Sequence, residues 1–128
     1  MRKTRPTVLV VEDNDVVRKI AMINLQQLGV QTHAATNGLE AVSMFNRCCY
    51  DLIFMDIAMP GMDGLQATEL IRQAEQNTGK RVPIIAMTAG GSREDCRQAG
   101  MDDYILKPPD YRRVLRKWLP HWFESRRA

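Results

Sequence analysis

A chain of 128 residues with 45% hydrophobic and 26% charged side chains has room for one domain with a real core, and its composition is neither that of a disordered nor of a fibrous protein. No stretch approaches the ~18 consecutive apolar residues of a membrane span; the basic start Met1 to Arg5 leads only to the short apolar run Val8 to Val11 and then to acids, so no signal peptide, no membrane contact and a cytoplasmic location are expected. The net charge of +3 is uneven: residues 6–106 carry 8 basic and 13 acidic side chains, residues 1–5 and 107–128 carry 10 basic and 2 acidic, and such basic flanks read as solvated ends, with no direct nucleic-acid binding expected.

Val8 to Val11 is a continuous β-branched run, as in a strand buried on both faces. Glu12-Asp13-Asn14-Asp15 supplies caps and first-turn acids for a first helix in which Val17, Ile20, Ala21 and Leu28 share a face, with Gly29 as its stop. A weaker second strand covers about Thr32 to Ala35, and a second helix from Asn37-Gly38 buries Leu39, Val42 and Phe45. Cys48, Cys49 and the distant Cys96 have no metal-ligand spacing and cannot all pair, so free, mostly packed thiols are expected. The third strand, Leu52 to Met55, ends at Asp56 and a Met59-Pro60-Gly61 turn. A third helix from about Gly64 sets Leu65, Thr68 and Ile71 or Arg72 at helical spacing and ends near Thr78-Gly79, and Pro83 opens a fourth strand, Ile84 to Met87. Arg93 to Ala99 is a short helix stopped by Gly100, and Tyr104 to Leu106 is a fifth strand. Tyr111, Val114, Leu115, Trp118, Leu119 and Trp122 then line one face of a last helix, with Pro120 breaking its hydrogen bonding near Trp122-Phe123.

Five-fold alternation of strand and helix implies a parallel sheet with helices on both faces, and in such sheets ligands bind outside the carboxyl ends of the strands. Glu12-Asp13, Asp56, Thr88 and Lys107 all fall at such ends. Singly, each has a plain reading: helix cap, strand-end hydroxyl, surface lysine. Together, Glu12, Asp13 and Asp56 are like charges that need a cation, and hard carboxylate and carbonyl oxygens around an open position suit Mg²⁺. With the Lys107 ammonium and the Thr88 hydroxyl they form a set able to neutralise and position a phosphoryl group in line with Asp56 as nucleophile.

Glu12-Asp13, the segment Asp56 to Gly64, Thr88-Ala89, Ala99-Gly100-Met101-Asp102-Asp103-Tyr104 and Lys107-Pro108 occur in this order on the elements just described. They resemble the receiver domain of two-component response regulators and hybrid sensor histidine kinases, over about residues 7–122, with residues 1–6 as a basic extension and 123–128 as a tail. The resemblance implies a flavodoxin-like (βα)5 doubly wound parallel sheet with strand order 2-1-3-4-5. It implies that Asp56 accepts a phosphoryl group from the phosphohistidine of a histidine kinase or histidine phosphotransfer domain. Mg²⁺ would be bound by Asp13, Asp56 and the backbone carbonyl of Ala58, with Glu12 acting through a metal-bound water. By the same resemblance Lys107 meets the phosphoryl oxygens, its bond to Pro108 is cis, and Thr88 with Tyr104 forms a conformational switch. The switch would alter the face made by the fourth helix, fifth strand and fifth helix, where a homodimer or intramolecular domain contacts are expected. Such a domain catalyses its own phosphorylation and slow dephosphorylation and is not a turnover enzyme.

Two departures from the family pattern lie on that face. Between Thr88 and Tyr104 the chain is about three residues short, with Gly90-Gly91 where a helix would begin, which predicts a fourth helix shortened by roughly one turn. Lys107 to Trp118 is also about one turn short. Altered coupling between Asp56 and this face is the expectation. Two rival enzyme or ligand classes fail on residues: a haloacid-dehalogenase-type phosphatase needs a second aspartate where Ala58 stands, and neither Gly-rich phosphate-cradling pattern occurs around Gly79-Lys80. A phosphorylation-independent pseudo-receiver scaffold is the remaining alternative.

Overall fold

The computed structural model describes residues 5–90 and 93–123. Five parallel strands, β1 (Thr7–Val11), β2 (Gln31–Ala35), β3 (Leu52–Asp56), β4 (Ile84–Thr88) and β5 (Asp103–Leu106), form one sheet in the order β2-β1-β3-β4-β5. The helices α1 (Asp15–Gln27), α2 (Gly38–Arg47), α3 (Gly64–Glu75), α4 (Arg93–Ala99), α5 (Tyr111–Trp118) and the short α6 (Pro120–Phe123) follow the strands. This is the flavodoxin-like doubly wound arrangement, and α4 is short at 7 residues. Of the expected sequence features, residues 1–4 of the basic extension, Gly91 and the tail residues 124–128 lie outside the described residues.

Strands β1, β3 and β4 are buried at every position because both faces of the sheet are covered, which is why they read as continuous apolar runs. Successive residues serve opposite cores: Leu9, Val11, Ile53 and Met55 pack with α2, α3 and α4, whereas Val8, Val10, Leu52 and Phe54 pack with α1 and α5.

The helix faces depart from the sequence reading in two places. Ile20 is 53% and Leu39 67% exposed, not buried. In α1 the stripe on the sheet is Ala21 and Leu25, continued by the C-cap Leu28, with Val17 half-buried at its edge, and Val16, Ile20 and Ile23 make a second apolar row facing outward. In α2 the buried residue is Ala41, flanked by the half-buried Val42 and Phe45. The thiols also differ: Cys96 is buried, but Cys48 and Cys49 are exposed where α2 ends.

The short α4 is held at its exit by charge and hydrogen bonding. The Arg72 guanidinium on α3 donates to the carbonyls of Gly100 (2.9 Å) and Val82 (2.8 Å) and meets Glu75 at 2.7 Å and Asp102 at 2.6 Å. Asp102 also accepts the Ile84 amide at 2.8 Å, which ties the α4–β5 connection to the start of β4. Beyond α5, Leu119 is buried, Trp118 Nε1 donates to Asp103 at 3.0 Å, and Trp122 and Phe123 pack on the α1/α5 core. The break before Pro120 therefore turns the aromatic end onto the domain.

Candidate functional site at the carboxyl ends of the strands

Register assembles the site. Because β1, β3, β4 and β5 are parallel neighbours, their carboxyl ends share one edge; Asp56 lies opposite Met87, and Thr88 opposite Leu106. The ladder runs on past the strands: Ile57 donates to the Met87 carbonyl at 3.3 Å and Lys107 to the Thr88 carbonyl at 2.9 Å, which brings Lys107 beside β4. The Lys107–Pro108 bond is cis.

Asn14, not Glu12 or Asp13, caps α1, accepting the Val17 amide at 2.9 Å. That leaves both acids before it available to the site. Glu12 is 1% exposed and is oriented by the Asn14 amide, which donates to its Oε2 at 3.1 Å. Asp56 is 4% exposed, whereas Asp13 is on the surface. Ligand atoms of these three carboxylates lie within 4.8 Å of one another, the one such acid cluster among the described residues. Lys107 Nζ closes the group at 2.6 Å from Glu12 Oε1 and 3.4 Å from Asp56 Oδ1.

The electrostatics follow from one ammonium shared by two buried acids. Burial raises Asp56 most, the Glu12 charge adds to it, and the pull of Lys107 does not compensate, so its carboxyl is pushed up to about 7. Burial also works on Glu12, but the hydrogen bonds from Lys107 and the Asn14 amide outweigh it and hold Glu12 below its ordinary value. Lys107 is raised, since Glu12 and Asp56 overcome its own desolvation. A protonated Asp56 is no nucleophile. A divalent cation held by the three carboxylates would replace that proton, and the donor set, hard oxygens only, fits Mg²⁺.

Thr88 is 5% exposed at the end of β4, but its hydroxyl is engaged, donating to the Gly90 carbonyl and accepting the Gly90 amide at 2.9 Å. Ala58 is exposed on the β3–α3 loop, two residues beyond Asp56. Tyr104 on β5 is half-buried, with the Arg93 guanidinium 5.0 Å from its ring centroid. Sequence reasoning missed the outward α1 row Val16, Ile20 and Ile23, of which Ile20 lines a groove with Lys107 and Pro108-Pro109; its i, i+4, i+7 spacing was the available signal.

Gly64 fixes the turn after Asp56. Asp63 and Gln66 form a capping box at the start of α3, and the Gly64 amide donates to the Ile57 carbonyl at 3.0 Å. A Cβ on Gly64 would stand 2.2 Å from the Asp56 carbonyl oxygen. Gly64→Ala is expected to destabilise the fold by roughly 2 kcal/mol through this backbone clash. Urea unfolding checks it, and a midpoint equal to wild type would show that the loop yields freely.

Residues 8–118 match the family model of the response regulator receiver domain. This chain belongs to the receiver-domain family. Over 118 residues, 92% of its length, it is 42% identical to the hybrid signal transduction protein dokA of Dictyostelium discoideum, of which it spans 7%. It spans between 4% and 15% of the curated relatives it matches. Among solved structures, this receiver is similar to the receiver domain of a sensor histidine kinase of Pseudomonas aeruginosa with magnesium in its active-site cleft, at TM-score 0.82 and 41% identity, covering 91% of this chain and 99% of that one. It is also similar to a chain in the co-crystal of the histidine phosphotransfer signaling protein of Saccharomyces cerevisiae with the receiver domain of its downstream response regulator, at TM-score 0.78 and 32% identity, covering 91% and 89%.

Proposed function

We propose that this receiver accepts a phosphoryl group onto Asp56 from a phosphohistidine on a histidine kinase or histidine phosphotransfer protein, in a Mg²⁺-dependent reaction. The observation that carries the reading is the convergence on Asp56 of Glu12, Asp13 and Lys107, with the Lys107 ammonium 3.4 Å from the Asp56 carboxylate. Glu12, Asp13, Asp56 and the Ala58 carbonyl would hold the cation, which would supply positive charge against the transferring group. Asp56 Oδ attacks phosphorus, the bond from phosphorus to the donor imidazole nitrogen breaks, and the nitrogen keeps the electron pair. Lys107 neutralises an equatorial oxygen, and Thr88 donates to another once its hydroxyl leaves Gly90.

The donor's docking face is the apolar groove of Val17, Ile20 and Pro108-Pro109 beside Lys107, with the exposed Val16 and Ile23 on the same helix. Thr88 and Tyr104 carry the phosphorylation signal to α4, β5 and α5. The receiver, residues 7–122, acts as a self-phosphorylating acceptor in a cytoplasmic relay of the hybrid-kinase type; no described helix is long and apolar enough to cross a membrane. An intact acid cluster with its ammonium partner favours this reading over a scaffold that never takes phosphate.

Incubation with Mg²⁺ and acetyl phosphate tests the reading: the protein gains one base-labile phosphate, and chelation of the metal prevents it. No gain would leave the scaffold reading. Mg²⁺ alone raises the melting temperature. Since protons compete for an Asp56 that titrates at about 7, the rise is larger at about pH 8 than at about pH 6, and equal rises at the two would count against metal binding at Asp56.

A further inference from the structure

The end of the sheet opposite Asp56 carries chemistry that the phosphoryl site does not use. Where α2 gives way to β3, Cys48 leaves the helix in an extended conformation, and it and Cys49 are exposed on a groove of about 750 Å³ between the ends of α2 and α3. Tyr50 lines the same groove and is 8% exposed. Burial, with the hydrogen bond to the Cys48 sulfur adding to it, holds the Tyr50 phenol above its ordinary value, so it keeps its proton and donates to that sulfur. His33 Nδ1 lies 2.9 Å from the phenol oxygen; with a proton on this nitrogen, His33 donates to the phenol and leaves the phenol's own hydrogen for Cys48. Lys80 stands on the groove wall, exposed and, among the described residues, without an acid partner. The acids of the groove are engaged: Asp51 accepts the Thr7 amide at 2.8 Å, and Glu75 accepts the Val82 amide and meets Arg72. Arg81, the other cation there, is held by Asp102 at 2.9 Å.

We propose that Cys48 is a reversible thiolation site that takes a small anionic thiol from its disulfide. The step is a thiol–disulfide exchange. Cys48 loses its proton to solvent and its sulfur bonds one sulfur of the incoming disulfide. The S–S bond breaks with its electron pair on the other sulfur, which leaves as a thiolate and takes up a proton. Cys48 is oxidised, half of the disulfide is reduced, and a second free thiol reverses the step. Tyr50 steadies the anionic sulfur of Cys48, and Lys80 meets the carboxylates of the incoming group. Cys49 does not displace the adduct: across their trans peptide the two Cα atoms are about 3.8 Å apart, below the range of about 4.4–6.8 Å that a disulfide spans. Cys96 is the contrasting thiol, 2% exposed and pushed up by burial and by Asp95, and it stays reduced.

The test uses the 128-residue chain without metal or phosphoryl donor, so that its failure leaves the phosphoacceptor reading untouched. The probes are oxidised glutathione, an anionic disulfide, and cystamine, a cationic one, at about pH 8 and about 50 mM salt, with the adduct placed by peptide mass mapping and its rate followed. Oxidised glutathione is expected to add to Cys48 at least about fivefold faster than to Cys49, and to Cys96 only once the protein is unfolded. Lys80→Glu slows glutathione addition by about threefold or more and speeds cystamine addition. Tyr50→Phe, which removes the donor and keeps the ring, brings Cys48 down to the rate of Cys49 and leaves the Cys49 rate unchanged. Cooperative melting shows that each variant is folded. No adduct, equal addition at Cys49 or Cys96 in the native protein, or a Cys48–Cys49 disulfide in place of the adduct would overturn the proposal. So would rates unmoved by Lys80→Glu, or a Cys48 preference kept in folded Tyr50→Phe.

Discussion

Asp56→Asn is expected to take up no base-labile phosphate and, in metal-free buffer at about pH 8, to melt above the wild type. The first loss is chemical, since an amide has no carboxylate oxygen to attack phosphorus. The second effect follows from burial: Asp56 is 4% exposed and titrates at about 7, against about 3.9 for an unhindered aspartate. Between those values the folded protein binds a proton that the unfolded chain releases, so wild-type stability falls as pH rises from about 4 to about 7 and levels off above. Asparagine carries no charge to bury and so removes that loss. The gain is on the order of 2–4 kcal/mol at about pH 8 and vanishes below about pH 4. Paired melting curves across pH, with and without Mg²⁺, measure it. A variant that melts with the wild type at every pH would refute the strained-cluster account, and a variant that still incorporates phosphate would refute Asp56 as acceptor.

Lys107→Met gives the opposite sign in stability and a loss in chemistry. Lys107 is 2.6 Å from a Glu12 that is 1% exposed; without the ammonium, two buried carboxylates face each other unneutralised, which costs about 3–5 kcal/mol at neutral pH. In the wild type Glu12 is held below its ordinary value, so its contribution is present above that value and lost as pH falls through the folded one. Lys107, raised above 10.5, keeps its share at all lower pH. In the variant Glu12 is pushed up instead, and stability increases as pH falls from about 8 to about 5. Mg²⁺ restores part of the loss by taking the ammonium's electrostatic place. Phosphorylation by acetyl phosphate drops by about 10²- to 10³-fold, the usual consequence of removing one preorganised charge from a transferring group. A variant as stable as wild type at about pH 8 would mean that Glu12 finds another partner.

The strands were legible because a parallel sheet covered on both faces leaves its sequence no choice but continuous apolar runs, as in Val8 to Val11 and Leu52 to Met55. The short α4 was legible from the missing residues after Thr88 and the Gly100 stop, and Gly100 does take a positive φ of 107°. Helix faces were read less well. Ile20 and Leu39 carry apolar side chains at nearly the spacing of the buried stripe, yet stand in solvent, because one apolar residue of a helix looks like another until its neighbour on the sheet is known. The exposed thiols Cys48 and Cys49 were misjudged for the same reason, since apolar character says nothing of the side a helix end presents.

By itself the sequence determined the alternation of elements, the family and the residues at the strand ends, because these depend on local pattern and on side-chain chemistry. Only the tertiary structure decided which charges meet. Glu12 and Lys107 are separated by 95 positions, and the parallel register that sets their atoms 2.6 Å apart is fixed by packing both faces of the sheet at once. Only the fold, likewise, left the Thr88 hydroxyl on Gly90 and turned Val16, Ile20 and Ile23 outward, with Ile20 beside Lys107. Burial, distance and exposure belong to the assembled chain, and the pKa of Asp56 follows from all three.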